Sequence, residues 1–481
     1  MKEKSVERNA VLNSAKTILK LILPLITFPY ISRILQVENL GKINYVKSIV
    51  DYFVLFATLG VQTYGIREGA SVRNDKVRFQ ELYSQLFTST LITTFLSLVG
   101  LFFVVQYFEG LRQYAILFLI FSIIIILSCI GNEWVCSAYE DYTYITIRTI
   151  AVQLLSFVLI FVLIHKKEDY YRYAIILTFS SAGSNIFNFI YNKKYVKHKL
   201  TKSIELKKHL KPLLVLFASS LAITIYISSD TIILGLLAGD YYTGIYAVVS
   251  KIYVVLKNII SSIVVVFVPR FSYYYKNNLY SEYRGLLSKL LKIIIIIILP
   301  MSTGIIMLSK EIILLISGVS YIEATLSLRI LAISLIFIAA SWILSQCILI
   351  PIGLEANVLY TTVGTAVLNM ILNCLWIGRW KQNAAACTTL ISEAVVTLNY
   401  FIMVKNKLSF SSLIKTIKHT ICGCILIAAL ISGLRLIISN SVILLVVSLA
   451  SSIIVYFISL LVMKEEIIIA YMKNKNDIGK R

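Results

Sequence analysis

Apolar blocks of about 20 residues recur along the whole chain, separated by short polar stretches. Each block is long enough to cross roughly 30 Å of hydrocarbon as an α-helix. Some of them, such as 292–300 with its six successive isoleucines, have no polar face to turn toward water. We therefore predict an all-α integral membrane protein.

About fourteen such blocks are predicted to be transmembrane helices. Because the first block lacks an A-x-A cleavage pattern, we interpret it as an uncleaved helix. The predicted spans are 12–32, 43–64, 82–105, 114–137, 145–164, 173–191, 213–237, 245–267, 286–308, 328–350, 358–377, 384–404, 420–438 and 442–463. An even number of spans places both ends of the chain on the same side.

Basic residues collect on alternate loops, within 67–78, 193–211, 270–289 and 405–418. About 30 Lys and Arg lie on one side and about 10 on the other, which predicts that the first side is cytoplasmic. The expected location is therefore the cell membrane, with both termini in the cytoplasm. The formal net charge of +22 is not arranged as a continuous stripe, so we expect membrane lipids, and no nucleic acid, as partners.

The chain also repeats itself weakly. Tyr-Ile-Ser at 30–32 recurs at 226–228, and a shift of 203 residues aligns Gly41 with Gly244, Arg67 with Arg270, Arg73 with Lys276 and Asn74 with Asn277. Repeats of this kind predict two six-helix lobes around a central cavity, followed by two extra helices. The predicted domains are 1–206 with a basic cytoplasmic linker, 207–404, and 405–481 with two accessory helices and a basic tail.

No metal or cofactor site is predicted. The seven cysteines lie in apolar segments, where they behave as small buried side chains, and the four histidines lack metal-binding spacing. No GxxxxGK[ST] motif is present, which argues against direct coupling to ATP.

Ionisable residues within the predicted spans are the candidate functional residues. Each costs at least about 2.5–3.5 kcal/mol near the bilayer centre, so those that occur usually face a cavity or a partner. They are Lys20, Arg33, Lys47, Asp51, Glu133, Asp230, Lys251, Lys257 and Glu393.

The cations among them point to an anionic ligand. No carboxylate lies three or four residues from Lys251 or Lys257 in the chain, so both are expected to attract an anion, and phosphate suits lysine and arginine. Alternatively, Lys20, Arg33 and Lys257 reach the membrane interface with their long side chains.

The carboxylates have two possible roles each. Lys47 and Asp51, four residues apart, can form an ion pair that either fixes the second span or takes part in binding. Asp230 either binds a coupling proton or sodium ion or makes a structural contact, and Glu133 and Glu393 are further candidates. Pro24 and Pro29 predict a bend in the first span.

Several segments resemble the Wzx-like polysaccharide flippases of the multidrug/oligosaccharidyl-lipid/polysaccharide exporter (MOP) superfamily. The segment LPLITFPYISRILQVENLGKINYVKSIVDYF, which contains Arg33 and Gly41, is similar to the first two helices of that family. YEDYTYITIRTI at 139–150 resembles the loop before the fifth span, and YISSDTIILGLLAGDYYTGIYAVVSKI resembles the start of the second lobe.

This resemblance implies a V-shaped pair of lobes, alternating access, and a substrate of sugar units on undecaprenyl diphosphate. It also implies a substrate-binding role for Arg33 and Lys251, and approximately for Lys47. Polysaccharide polymerase and glycosyltransferases of the same pathway are expected partners of a monomeric chain.

Two other functions are considered. A multidrug cation antiporter of the same superfamily would favour a carboxylate-rich cavity, which the excess of intramembrane lysine and arginine argues against. A membrane polymerase or glycosyltransferase would need a sizeable loop domain for its acid, base or metal-binding residues, and no predicted outer loop exceeds about 20 residues. The sequence therefore favours a flippase that is not an enzyme.

Overall fold

The computed structural model describes residues 6–201, 206–405 and 411–469, and no β-strand occurs among them. The α-helices in these ranges are α1 (Val6–Thr58), α2 (Val61–Val72), α3 (Lys76–Tyr107), α4 (Glu109–Arg112), α5 (Ala115–Gly131), α6 (Glu133–Ala138), α7 (Tyr142–Leu163), α8 (Tyr170–Thr178), α9 (Ser184–Tyr191), α10 (Leu206–Ala238), α11 (Asp240–Lys276), α12 (Tyr280–Ile316), α13 (Ala324–Trp342), α14 (Glu355–Val404), α15 (Ser411–Ile437) and α16 (Ser441–Val462). π-Helical turns at Phe179–Gly183 and Ile343–Leu349 extend α8 and α13.

The predicted all-α membrane architecture is confirmed. Twelve helical stretches in the described ranges are long and apolar enough to cross a membrane. The two longest helices each contain a non-helical residue, Gln36 (φ 62°) in the 53-residue α1 and Lys381 (φ 51°) in the 50-residue α14. A helix of 50 residues is about 75 Å long, far more than one crossing of roughly 30 Å. Counting each broken helix as two spans gives the fourteen that the sequence predicts.

The break in α1 lies between the first two predicted spans, 12–32 and 43–64, and not at the prolines where the sequence predicts a bend. Pro24 and Pro29 lie within the helix, and the non-helical dihedral angles are at Gln36. A positive φ at a residue other than glycine is uncommon, and here it marks the turn between the first two spans. In the fourth span, Asn132 adopts the left-handed conformation (φ 40°), ending α5 and starting α6.

Internal contacts group the chain into two compact units, one reaching to Gly244 and one beginning at Ile245. The domain boundaries expected from the sequence, at 206/207 and 404/405, stay predictions. Lys2, Lys4, Lys202, Lys407 and the basic tail after residue 469 lie outside the described residues.

The first unit is organised around Trp134, which is almost fully buried. Phe79 and Tyr83 of α3 pack against its indole ring, with centroids 5.7 and 6.0 Å away. The α2 helix presents Gly65 and Gly69 to the same ring, where an added Cβ would touch the indole. This arrangement joins α2, α3 and α6 through one aromatic side chain.

Polar side chains connect the same unit to the basic stretch after α9. Tyr83 and His198 are hydrogen bonded (2.7 Å between the hydroxyl and Nδ1), and burial lowers the pKa of His198. Asp141 accepts hydrogen bonds from the hydroxyls of Tyr191 and Tyr195 at 2.7 and 2.8 Å. The loop before α7 is thereby fixed to the end of the sixth span.

The turn between α10 and α11 packs tightly on α1. A Cβ added to Gly41 would overlap the carbonyl oxygen of Asp240 and lie 2.9 Å from the Gly244 nitrogen. A Cβ added to Gly244 would overlap the carbonyl oxygen of Val37. The two glycines are aligned by the 203-residue repeat, and so are Val37 and Asp240. Each repeat therefore presents the same glycine to the same backbone position of the other.

In the second unit, ion pairs join the last two spans to α12. Arg435 of α15 donates to both carboxylate oxygens of Glu311 at 3.0 and 2.9 Å. Beyond the end of α16, Glu466 accepts a hydrogen bond of 2.7 Å from Lys292, which holds the pKa of that carboxyl below its usual range. Between α12, α15 and α16 lies an apolar cavity of about 460 Å³.

The glycine contact predicts a position-specific cost. Replacing Gly41 with alanine forces two backbones apart, and overpacking of this kind costs about 1–3 kcal/mol. We expect Gly41→Ala to lower the apparent unfolding temperature of the purified protein. The matched control is Gly364→Ala in α14, where an added Cβ meets nothing within 4 Å. Equal unfolding temperatures for the two variants would contradict the close contact.

Candidate functional site

Lys47 and Asp51 form the ion pair expected from their spacing. The Lys47 Nζ donates to both carboxylate oxygens at 2.8 Å, and both side chains are about one third exposed. Four residues separate them, so the helix itself sets this geometry. An anion that approaches Lys47 would therefore compete with the carboxylate of Asp51.

Lys257 has a carboxylate partner that its own helix does not supply. Its Nζ lies 4.0 Å from Oε1 of Glu393, which belongs to α14 and is almost completely buried. The ammonium also lies over the ring of Tyr253, 5.3 Å from the centroid. The sequence shows correctly that no carboxylate lies three or four residues from Lys257, and the fold supplies one from 136 positions away. A structural role for Lys257 and Glu393 is therefore favoured.

Arg33, Lys251 and Asp230 occupy three different helices. Arg33 is exposed on α1, three residues before the break at Gln36. Lys251 is half-buried on α11, and Asp230 is buried on α10, close enough to Tyr52 to interact electrostatically. Arg33 and Asp230 belong to the first unit and Lys251 to the second. A cavity shared by these residues stays a prediction.

Glu133 is the centre of a charged cluster that sequence reasoning recognised only in part. The left-handed Asn132 directs the chain into α6, so that Glu133 is its first residue. Arg148 Nη2 donates to Glu133 Oε2 at 2.5 Å, and Lys16 Nζ lies 3.7 Å from Oε1. Lys20 is exposed and within electrostatic range of Glu133.

Lys16 and Arg148 were missed as functional candidates. Arg148 lies within the quoted segment at 139–150, and its position inside the predicted fifth span could have identified it. Its side chain is 3% exposed. Lys16 lies four residues before Lys20, on the same face of α1.

A buried amide network was also missed in the second unit. Within α14, Asn373 donates to Asn369 at 3.0 Å and accepts a hydrogen bond of 2.6 Å from Thr388. All three side chains are buried. Because these side chains carry no charge, the search for ionisable residues in the spans did not select them. The network joins the two spans on either side of Lys381.

No group of three or more His, Cys, Asp or Glu side chains that could hold a metal ion occurs among the described residues. The cysteines in these ranges are free thiols.

Twelve membrane-long apolar stretches in the described ranges, several of which carry ionisable side chains, are typical of a multi-pass membrane transport protein. The polysaccharide biosynthesis protein family matches residues 6–275, more than half of the chain, and the lipid II flippase MurJ family matches residues 187–457. The chain belongs to the polysaccharide biosynthesis protein family and is a Wzx-like flippase of the MOP superfamily.

Known proteins agree with this assignment. The "Putative O-antigen transporter" of Escherichia coli (strain K12) is 22% identical over 411 residues, covering 84% of this chain and 97% of that protein. The structure of the lipid II flippase MurJ in an inward closed conformation has a TM-score of 0.77 at 16% identity, covering 95% of this chain and 100% of that one.

A multidrug resistance MATE family transporter of the MOP superfamily, in an inward-facing conformation, gives a TM-score of 0.60 at 15% identity. That match covers 83% of this chain and 98% of the transporter. At such identities the two structures support the fold alone.

The Lys257–Glu393 pair predicts a specific pattern of stability. Lys257→Met leaves a buried carboxylate without its cation, so we expect a loss of about 1–3 kcal/mol. The double variant Lys257→Met/Glu393→Gln should recover part of that loss, because both charges are then absent. Apparent unfolding temperatures of the purified single and double variants test this. Additive effects of the two substitutions would contradict a coupled pair.

Proposed function

We propose that this flippase moves undecaprenyl-diphosphate-linked oligosaccharide repeat units from the cytoplasmic to the outer leaflet of the cell membrane. The sugar units would serve the synthesis of a cell-surface polysaccharide. Membership of the polysaccharide biosynthesis protein family carries this proposal, because the family covers residues 6–275 and the named relatives are transporters. Both termini would then lie in the cytoplasm, as the distribution of basic loops predicts.

Arg33, Lys47 and Lys251 are the proposed contacts to the diphosphate. A phosphorylated headgroup must lose water to enter the membrane, and cations supply charge-assisted hydrogen bonds that compensate for this loss. Arg33 is exposed, and Lys47 and Lys251 are partly exposed, so all three can be reached by a ligand. Lysine binds phosphate as a point charge, without the two-pronged geometry of arginine. In this proposal the three meet the headgroup in a central cationic cavity that opens alternately to the two sides.

Apolar surface in the second unit is compatible with the lipid part of such a substrate. The cavity between α12, α15 and α16 is lined by Ile, Leu, Met, Phe and Tyr side chains with two serines, Ser448 and Ser452. No charged side chain lines it. An isoprenoid chain can contact this surface without burying any polar group of its own.

The membrane potential would assist the proposed direction of transport. With the inside negative, moving an anion outward gains about 2.3 kcal/mol per charge for every 100 mV. Asp230, buried on α10, is the proposed residue for coupling to a proton or sodium ion. Asp51 lies 2.8 Å from Lys47 and Glu393 lies 4.0 Å from Lys257, so a coupling ion at either carboxylate would compete with a lysine.

Depletion of the gene in its bacterial host tests the proposal. Lipid-linked repeat units should accumulate on the cytoplasmic leaflet, and wild-type protein should restore their export. We expect Arg33→Ala and Lys251→Ala to fail in this rescue, with at least a tenfold loss of export, because each removes a charge-assisted contact. Lys251→Arg should retain export, since it keeps the charge.

The matched control is Lys276→Ala, an exposed lysine at the end of the same helix as Lys251. It should restore export fully. Rescue by both Arg33→Ala and Lys251→Ala would reject the proposed binding residues, and the absence of accumulated lipid-linked sugars on depletion would reject the function.

A further inference from the structure

Three cations surround one carboxylate near the predicted cytoplasmic end of the first unit. Lys16 and Lys20 project from the same face of α1, Arg148 comes from α7, and Glu133 begins α6. Their formal charges leave an excess of two positive charges. Because unbalanced charge at membrane depth is costly, such an excess is expected to be offset by a bound anion.

The two carboxylate oxygens of Glu133 contact side chains from two different helices. Oε2 accepts the 2.5 Å hydrogen bond from Arg148, and Oε1 lies 3.7 Å from Lys16, which is beyond hydrogen-bond distance. The contact with Arg148 is therefore strong and the contact with Lys16 is loose. The Glu133 side chain is 30% exposed, so an incoming anion can reach the Lys16 side of the cluster.

Arg148 is held firmly and keeps unused hydrogen-bonding capacity. Its Nη1 donates to the carbonyl oxygen of Ser184 at 3.0 Å, while its buried Nε has no hydrogen-bond partner in the described structure. Next to this cluster, Thr146 of α7 donates to the carbonyl oxygen of Leu12 at 3.2 Å, which fixes α1 against α7. Arg148 and the backbone of α1 are thus positioned before any ligand arrives.

We infer that Lys16, Lys20 and Arg148 form a docking site for a diphosphate headgroup at the cytoplasmic leaflet, in which Glu133 occupies the place of the anion until a ligand arrives. This inference rests on the proposed function and adds a first binding step ahead of Arg33, Lys47 and Lys251. On docking, Lys16 and Lys20 exchange Glu133 for the diphosphate, and Arg148 retains Glu133. No covalent bond changes in this step.

The test measures the binding of undecaprenyl diphosphate to the purified full-length protein in detergent micelles. Lys16→Ala/Lys20→Ala should weaken binding by about tenfold or more, because two charge-assisted contacts are lost. Glu133→Gln should strengthen it several-fold, since the competing negative charge is removed while the side-chain shape is kept. The control Lys166→Ala/Lys167→Ala removes the same charge from exposed lysines elsewhere and should leave binding unchanged.

Glu133→Gln separates this inference from a structural role. If the cluster serves only to join α1, α6 and α7, the variant loses an ion pair and binds more weakly, and that result would overturn the docking site. Unchanged binding by Lys16→Ala/Lys20→Ala would overturn it as well. Unfolding temperatures of the same variants show whether a loss of binding is caused by unfolding. A variant that binds weakly because it unfolds counts against the docking site.

Two further ligands identify what the site recognises. Undecaprenol, which has the same chain and no phosphate, should bind more weakly than undecaprenyl diphosphate by at least tenfold. Inorganic pyrophosphate should also bind more weakly, and equal affinity would overturn the assignment to a lipid headgroup. Failure of the proposed function would appear in the wild-type protein, which would not bind undecaprenyl diphosphate at all, whereas failure of the docking site appears only in the variants.

Discussion

The cost of placing a charge in hydrocarbon determines where the ionisable side chains of this protein lie. Lys47 meets Asp51, Lys257 meets Glu393, and Arg148 meets Glu133, in each case within 4.0 Å. Each ion pair reduces the free-energy cost of placing its two charged side chains in a bilayer. For each charged residue in a membrane span, the protein partner that balances its charge must therefore be identified before a ligand is assigned to it.

Identifying the protein partners first changes how the candidate binding residues are interpreted. Lys257 is paired with a buried carboxylate on another helix, so an anionic ligand would compete with Glu393 for it. Lys47 forms an ion pair with Asp51. Arg33 and Lys251 stay the proposed substrate contacts, and the excess of positive charge around Glu133 adds a second place where an anion fits.

The sequence predicted the features that depend on neighbours along the chain. Apolar length gave the spans, and the four-residue spacing of Lys47 and Asp51 gave their ion pair, because helix geometry alone determines both. The breaks at Gln36 and Lys381 lie between predicted spans, but the sequence did not identify these two residues, since neither glutamine nor lysine has a particular tendency toward positive φ. Contacts between distant helices, such as those of Lys257 and Arg148, depend on tertiary packing that one sequence does not reveal.

The contact between Gly41 and Gly244 makes these two positions depend on each other. An added side chain at Gly41 would overlap the backbone of Asp240, and one at Gly244 would overlap the backbone of Val37, so either change moves the same two segments apart. Neither position can therefore accept a larger residue without disturbing the junction that both of them form.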